Sequence, residues 1–301
     1  KTFDHILVRH EQGAVHAAQG YARVSGNVGT VLVTSGPGVS NTLTGVADAM
    51  IDSTPVVVIA GQVGVSVLGK DAFQELDLIT VVQPICKWVY QIRRPEDIPW
   101  AVSKAYYLAR SGRPGPVVLD FPKNAQQSKC VYEPKAVNFV RSYIAYPAPK
   151  ENALKVAAEL INNAKRPLAL VGQGVELGNA REELREFLEK ANIPAARTML
   201  GLSALPSSHP LNMGMLGMHG NLAPNLKQQE ADVVIAIGMR FSDRVTGKLD
   251  TYLKQAKVIH MDIDNAEINK NVNVDVPIVA DCKESLPLLT SLLSEADHSD
   301  W

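Results

Sequence analysis

The chain has 301 residues, with 30 Lys plus Arg against 31 Asp plus Glu and a formal charge of -1. That length accommodates two domains, each with its own core, and 46% hydrophobic with 20% charged residues excludes disordered, collagen-like and coiled-coil classes. No basic block supplies the positive field that a phosphate backbone requires, so a small-molecule ligand is expected and a nucleic acid is not.

The three cysteines, Cys86, Cys130 and Cys282, are odd in number and far apart. They form neither a disulfide framework nor a CxxC motif, and a reducing, cytoplasmic compartment fits them. The longest apolar runs fall far short of the ~20 residues that cross a bilayer, so no membrane span is expected. The opening KTFDHILVRHEQG has no signal-peptide run and no initiator Met, and reads as a chain entered in mid-domain.

In chain order, RHEQGAVHAAQGYARVSG (9–26) places Ala14, Ala18 and Ala22 at every fourth position, which predicts a helix with a small-residue face. TVLVT (30–34), PVVVIAG (55–61) and PVVLDFP (116–122) are continuous apolar runs, predicting strands buried on both faces. GVSNTLTGVADAMIDS (38–53) and PEDIPWAVSKAYYLAR (95–110) between them predict helices. Residues 126–150, broken by prolines, predict a linker between a domain over 1–125 and a second over 151–301. There the pattern resumes: helices over 152–164, 179–191 and 282–293, and strands over 167–174, 231–238 and 257–264. The fold class is α/β, two consecutive domains with parallel, doubly wound sheets.

The histidines show no metal-ligand spacing, and neither a GxSxG elbow nor a P-loop occurs. TSGPGVSN (34–41) follows a strand and opens a helix, with Gly36 and Gly38 permitting a tight turn and Pro37 stiffening it. GQGVELG (172–178) also joins a strand to a helix, but as GxGxxxG it is a near-match to the dinucleotide fingerprint, equally readable as a tight turn. Glu11, in the first turn of its helix, reads on its own as a solvated carboxylate complementing the helix dipole.

Seven segments occur in one order over nearly the whole chain: RHEQGAVHAAQGYARVSG, TSGPGVSNTLTGVADAMIDSTPVVVIAGQV, DAFQE, SGRPGPVVLDFPK, MLGMHG, RFSDRVTGKLD and HMDIDNAEINKNVNVDVPIVAD. Together they resemble the large catalytic subunit family of acetohydroxyacid synthase (acetolactate synthase), in the thiamine diphosphate enzyme superfamily. RFSDRVTGKLD and MLGMHG are more similar to its FAD-containing branch than to the flavin-free one. The resemblance implies a pyrimidine-binding domain, incomplete at its start, followed by a central FAD domain of Rossmann-like form. The third domain of the family, which holds Mg²⁺ and the diphosphate, has no counterpart, so no metal ligand is assigned here and the chain alone is expected to be inactive.

Carried over residue by residue, the resemblance makes Glu11 the acid that hydrogen-bonds the cofactor's aminopyrimidine and relays its proton. Pro37 and Asn41 belong to the pyrimidine pocket, Gln62 is a further cofactor-binding residue, and Phe73, Gln74 and Lys123 lie on the substrate side. The flavin residues it implies are Arg113, Gly172, Gly174, Thr198, Met199, Leu200, Gly201, Leu216, Gly217, Met218, His219, Gly238, Arg240, Asp243, Arg244, Asp262, Ile263, Asp281 and Cys282. Arginines suit a pyrophosphate and Asp262 at a strand end suits a ribose hydroxyl. The sequence departs from the family pattern at Gly64-Val65-Ser66, at Gln173 and at Ser242.

The activity implied is decarboxylation of pyruvate and carboligation to a second 2-ketoacid, the first step of branched-chain amino acid biosynthesis, in a homodimer or tetramer that a regulatory small subunit can join. Carboligation changes no oxidation state, so the flavin is structural. Two other readings remain: another thiamine diphosphate flavoenzyme, such as pyruvate oxidase or glyoxylate carboligase, and a non-catalytic nucleotide-binding module. The carboligase family lacks the acid at Glu11, and RFSDRVTGK argues against the oxidase.

Overall fold

The computed structural model describes residues 4–301. The chain divides into two compact units, Lys1–Ala145 and Tyr146–Trp301.

The first unit contains α1 (Glu11–Ser25), β1 (Gly29–Val33), α2 (Pro37–Ser40), α3 (Leu43–Ile51), β2 (Val56–Gln62), α4 (Leu78–Val82), β3 (Trp88–Gln91), α5 (Ile98–Arg110), β4 (Pro116–Pro122) and α6 (Lys123–Gln127). Its four strands are parallel in the order β1-β2-β4-β3. The central strands β2 and β4 bury both faces, because alternate side chains of an apolar run enter different cores. Val58 and Val118 pack with Val15, Val46 and Ala49 on one face; Val57 and Leu119 pack with Ala101 and Ala105 on the other.

Three expectations are corrected here. The helix over 38–53 breaks in two at Asn41 and Thr42. The Thr42 hydroxyl donates to the Val39 carbonyl at 2.6 Å, the local bonding with which Thr competes against a continuous helix. Strand β1 is buried on one face only: it lies at the sheet edge, and Leu32 on its outer face is 78% exposed. Strand β3 falls where no strand was predicted, because its four half-buried residues give no clear periodicity. Its Trp88 stacks on Tyr90 with centroids 5.3 Å apart, and Lys104 Nζ lies 4.4 Å from the Trp88 ring and 5.0 Å from that of Trp100.

Residues 129–140 carry no regular structure, but Val140 and Tyr143 pack against the α5 core. The Tyr143 hydroxyl donates to the Ser111 carbonyl at 2.7 Å.

The second unit contains α7 (Glu151–Asn162), β5 (Pro167–Val171), α8 (Gly174–Leu177), α9 (Arg181–Lys190), β6 (Ala195–Arg197), β7 (Asn212–Met215), α10 (Leu222–Glu230), β8 (Val233–Ile237), α11 (Asp243–Thr246), β9 (Lys257–Asp262), β10 (Val276–Val279) and α12 (Cys282–Ser291). Its six parallel strands are ordered β10-β9-β8-β5-β6-β7. The chain winds outward from β5 through β6 and β7, then returns to the other side of β5 for β8, β9 and β10, so the direction of winding reverses between β5 and β8. Ligands of such sheets bind beyond the carboxyl ends of the strands at that reversal.

One face of this sheet packs Ala169, Ile235 and Ile259 against Leu154, Phe187 and Leu286 of α7, α9 and α12; the other packs Leu168, Val234 and Val258 with Phe241 and Tyr252. Trp301 donates through Nε1 to the Pro167 carbonyl at 2.8 Å, and Lys227 Nζ lies 4.1 Å from its ring. Among the described residues no helix is long and apolar enough to cross a membrane.

Phe187 is fully buried in the second unit, so Phe187→Ala should lower stability by about 3–5 kcal/mol through lost transfer energy and the cavity left behind. Phe73 is 88% exposed, and Phe73→Ala should change stability by less than about 0.5 kcal/mol. Urea unfolding of both variants measures the contrast.

Candidate functional site

In the first unit the residues of interest gather at the carboxyl ends of β1, β2 and β4. Glu11 opens α1, whose N-cap His10 accepts the Gln12 N–H through Nδ1 at 3.1 Å. The turn after β1 carries Asn41 back to that helix end, and Asn41 Nδ2 donates to Glu11 Oε2 at 3.0 Å. This hydrogen bond, then one from the Glu11 backbone and a smaller pull from His10, hold the Glu11 carboxyl below the usual glutamate range. It is therefore an ionised acceptor at neutral pH. Its other oxygen, Oε1, faces Gly38, where an added Cβ would lie 3.7 Å away.

The same turn meets the loop that follows β2. Gly36 adopts φ +56°, and a Cβ there would fall 2.7 Å from the Gln74 carbonyl oxygen, so only glycine allows the two backbones to touch. The loop is closed on itself by Glu75, whose carboxylate accepts the N–H groups of Gly69 and Ala72. Those hydrogen bonds lower the Glu75 pKa. Gln62, at the end of β2, donates to the Leu76 carbonyl at 2.8 Å. Glu11, Pro37, Asn41, Gln62 and Gln74 are thus linked by contacts along one edge. The Phe73 side chain and Lys123, the first residue of α6, are exposed.

Below this edge lies a residue that the sequence reading did not single out. Asp120 of β4 is fully buried and accepts from Gln91 Nε2 at 2.6 Å. Burial pushes its carboxyl up to about 6, against the opposing amides of Gln91 and Gln62. The signal available was an acid inside the apolar run PVVLDFP, since such a group is rarely buried without a purpose.

In the second unit the residues implied for a flavin fall at the carboxyl ends of all six strands: Gly172 and Gly174 after β5, Thr198, Met199, Leu200 and Gly201 after β6, Leu216, Gly217, Met218 and His219 after β7, Gly238, Arg240, Asp243 and Arg244 after β8, Asp262 and Ile263 at the end of β9, and Asp281 and Cys282 after β10. Arg113 belongs to the first unit, where its Nε donates to Ser53 Oγ at 2.8 Å.

The backbone closes tightly at the winding reversal. Gly174 N–H donates to the Gly238 carbonyl at 2.8 Å and Gly172 N–H to the Ile237 carbonyl at 2.9 Å. Gly238 has φ +57°, and a Cβ on it would lie 2.6 Å from the Gly174 α-carbon. The absence of side chains there lets the two backbones touch, the close approach for which strand-to-helix turns of this kind use glycine. The Arg240 side chain makes no hydrogen bond or ion pair among the described residues, which leaves a guanidinium available for an anion. Met199 and Met218 are each 62% exposed, offering apolar side chains to a flat ring. His260, fully buried, shares a 2.9 Å hydrogen bond with the Met239 carbonyl and braces the segment that bears Arg240. Burial lowers its pKa and keeps it neutral, so it donates that bond from Nε2.

Asp262 Oδ1 accepts the Asp264 N–H at 2.8 Å and Asp281 accepts the Lys283 N–H at 2.8 Å, so both acids help shape their own turns. Cys282 is buried, and burial pushes its thiol pKa up, which makes it an apolar packing group rather than a nucleophile. Within the acidic run at 264–267, Glu267 is 7% exposed and pairs with Lys270 at 3.0 Å. Among the described residues no group of three His, Cys, Asp or Glu is placed to hold a metal ion.

The raised Asp120 pKa has a sign that can be tested. The folded protein binds this proton more readily than a free aspartate does, so its contribution to stability is full below 3.8 and is lost as pH rises through about 6. Asp120→Asn removes that dependence. Relative to the parent, the variant should gain up to roughly 3 kcal/mol across the window, as read from urea unfolding at several pH values.

Two family models match this chain: thiamine pyrophosphate enzyme, N-terminal TPP binding domain, over residues 1–81, and thiamine pyrophosphate enzyme, central domain, over 154–289. The chain is 47% identical over 307 positions to an acetolactate synthase of Mycobacterium leprae, covering 100% of this chain and 49% of that protein. It is 47% identical over 304 positions to the acetolactate synthase large subunit of Corynebacterium glutamicum, covering 99% and 48%. To the acetolactate synthase isozyme 3 large subunit of Escherichia coli it is 44% identical over 295 positions, covering 97% and 51%. The chain therefore spans about half the length of the curated relatives it matches. With both family domains matched in the order of its two units, and nearly half of its positions shared with these relatives from end to end, the chain belongs to the thiamine pyrophosphate enzymes, in their acetolactate synthase large-subunit family.

Proposed function

We propose that the chain forms the pyrimidine-binding and FAD-binding portions of an acetolactate synthase, a transferase that decarboxylates pyruvate and joins the product to a second 2-ketoacid on the route to branched-chain amino acids. The observation that carries this reading is the Glu11–Asn41 pair at the mouth of the first sheet, in a chain similar throughout to acetolactate synthases. Thiamine diphosphate, when bound, supplies the electron sink for loss of carbon dioxide. The protein's part is to orient and to hold protons. Asn41 engages Glu11 Oε2 and leaves Oε1 to hold a proton at a pyrimidine nitrogen, while Pro37 belongs to the same pocket and Gln62 is a further cofactor-binding residue. Gln74 and Lys123 offer an amide and a cation to the keto oxygens of the substrate, and Phe73 an apolar wall.

The second unit is assigned FAD in a structural role, with Arg240 and Arg244 directed to its pyrophosphate and Asp262 to a ribose hydroxyl. Mg²⁺ and the diphosphate of thiamine diphosphate are assigned to sequence outside these 301 residues. The relatives' designation as large subunits supports assembly as a homodimer or tetramer with a regulatory small subunit, and a cytoplasmic setting suits the three unpaired cysteines.

The reading is tested by grafting this chain in place of the matching half of the Corynebacterium glutamicum protein and assaying acetolactate from pyruvate, as acetoin after acid treatment. Turnover is expected; a folded graft with both cofactors bound but no acetolactate would refute the reading. In the active graft, Glu11→Gln should slow turnover by about 10²- to 10⁴-fold while leaving thermal stability nearly unchanged. Incubated with FAD and passed through gel filtration, the chain should carry a visible flavin band, which Arg240→Ala should weaken.

A further inference from the structure

Asp120 is out of character with the strand that carries it. It pairs in register with Ala60 of β2 and Gln91 of β3, is 0% exposed, and its Oδ1 has no hydrogen-bond partner. A buried polar oxygen left in that state costs free energy, and its retention calls for an explanation.

Two lines of contact lead from it to the loop and helix of the substrate side. Gln62, whose amide favours the charged carboxyl, donates to the Leu76 carbonyl at 2.8 Å, two residues beyond Gln74. Gln91, which donates to Asp120 Oδ2, accepts in turn from Arg93 Nε at 2.8 Å. The Arg93 carbonyl accepts from Asn124 Nδ2 at 3.2 Å, and Asn124 Oδ1 accepts the Val65 N–H at 3.1 Å. Asn124 follows Lys123 directly, and Val65 lies near the start of the loop over 63–76 that follows β2. Both ends of that loop, and the first turn of α6, are therefore tied to one buried carboxyl group.

We propose that Asp120 is a positioning residue whose gain or loss of a proton resets the loop over 63–76 and the start of α6, and with them Phe73, Gln74 and Lys123. That these residues face a 2-ketoacid rests on the function proposed above; the coupling itself does not.

The physical route is a change from acceptor to donor. As a carboxylate, Asp120 only accepts. As an acid it carries a hydrogen that needs an acceptor, and two amides act on it: that of Gln91, whose Oε1 now accepts from Arg93 at 2.8 Å, and that of Gln62, whose Oε1 now accepts the Val63 N–H at 2.9 Å. If Gln62 turns to meet the acid, its Nε2 leaves the Leu76 carbonyl and the loop loses that tie. The proton comes from solvent, and with the carboxyl pushed up to about 6 both states are populated near neutral pH. The charged groups acting on it are Asp77, at the N-terminus of α4, which disfavours ionisation, and Arg93, beyond β3, which favours it. β2 and β3 contribute only the amides of Gln62 and Gln91.

The test is an NMR titration of the full chain, labelled at backbone amides and aspartate carboxyl carbons, between about pH 5 and about pH 7.5. The Asp120 carboxyl and the amides of Val63, Val65, Gln74 and Leu76 should move with one shared midpoint near 6, while amides of β5 stay still. In Asp120→Asn the loop amides should no longer titrate and should hold the positions that the parent shows at low pH. Loop amides that do not move, that follow a midpoint different from that of Asp120, or that still titrate in the variant would overturn the proposal. Should the variant fail to fold, agreement or disagreement of the two midpoints in the parent decides alone. In the active graft, the KM for pyruvate should change through the same midpoint in the parent and not in Asp120→Asn, with kcat less affected. Coupling without turnover would count against the function and not against the coupling.

Discussion

The hydrogen bonds from Gly172 to Ile237 and from Gly174 to Gly238 join two strands that are distant in sequence at the place where the winding of the second sheet reverses. Everything assigned to this unit is arranged around that closure. The sheet is covered on both faces by apolar side chains, which leaves its strand ends for polar contacts, and the close approach of the glycines draws the tips of β5 and β8 together. A side chain at Gly238 would separate β5 from β8 at their tips.

The first unit meets the same constraint differently. Its sheet has four strands rather than six, and its strand-end groups are gathered by side-chain bonds: Asn41 to Glu11, Gln62 to the Leu76 carbonyl, Gln91 to Asp120. Such a network is worth most when every member is satisfied. The orphaned oxygen of Asp120 is its weak point, and that is what a site bearing a cost in stability looks like.

How much was legible in the sequence followed from burial. PVVLDFP is a long apolar run and β4 occupies the same seven residues; the predicted strands at 231–238 and 257–264 contain β8 and β9. Strands β6, β7 and β10 have only three or four residues each, too few to establish a period, and they exist because a neighbouring strand offers a ladder. The break at Asn41 was hidden because its purpose is tertiary: the side chain reaches Glu11, 30 residues away in sequence. Glu11 likewise gave no sign beyond an ordinary first-turn acid, and only resemblance to a family singled it out. Asp120 shows the converse, a residue whose oddity was visible in the sequence while its partners, on three other segments, were not.

The placement of the tryptophans has an optical consequence. Trp88 and Trp100 sit together under Lys104 in the first unit, whereas Trp301 is clasped between Pro167 and Lys227 in the second. These are the only tryptophans in the chain, so its tryptophan emission is the sum of one source in each unit. Substituting Trp301 alone leaves a fluorophore that reports the first unit, and substituting Trp88 and Trp100 leaves one that reports the second. The melting of each half can then be followed by colour without any added dye.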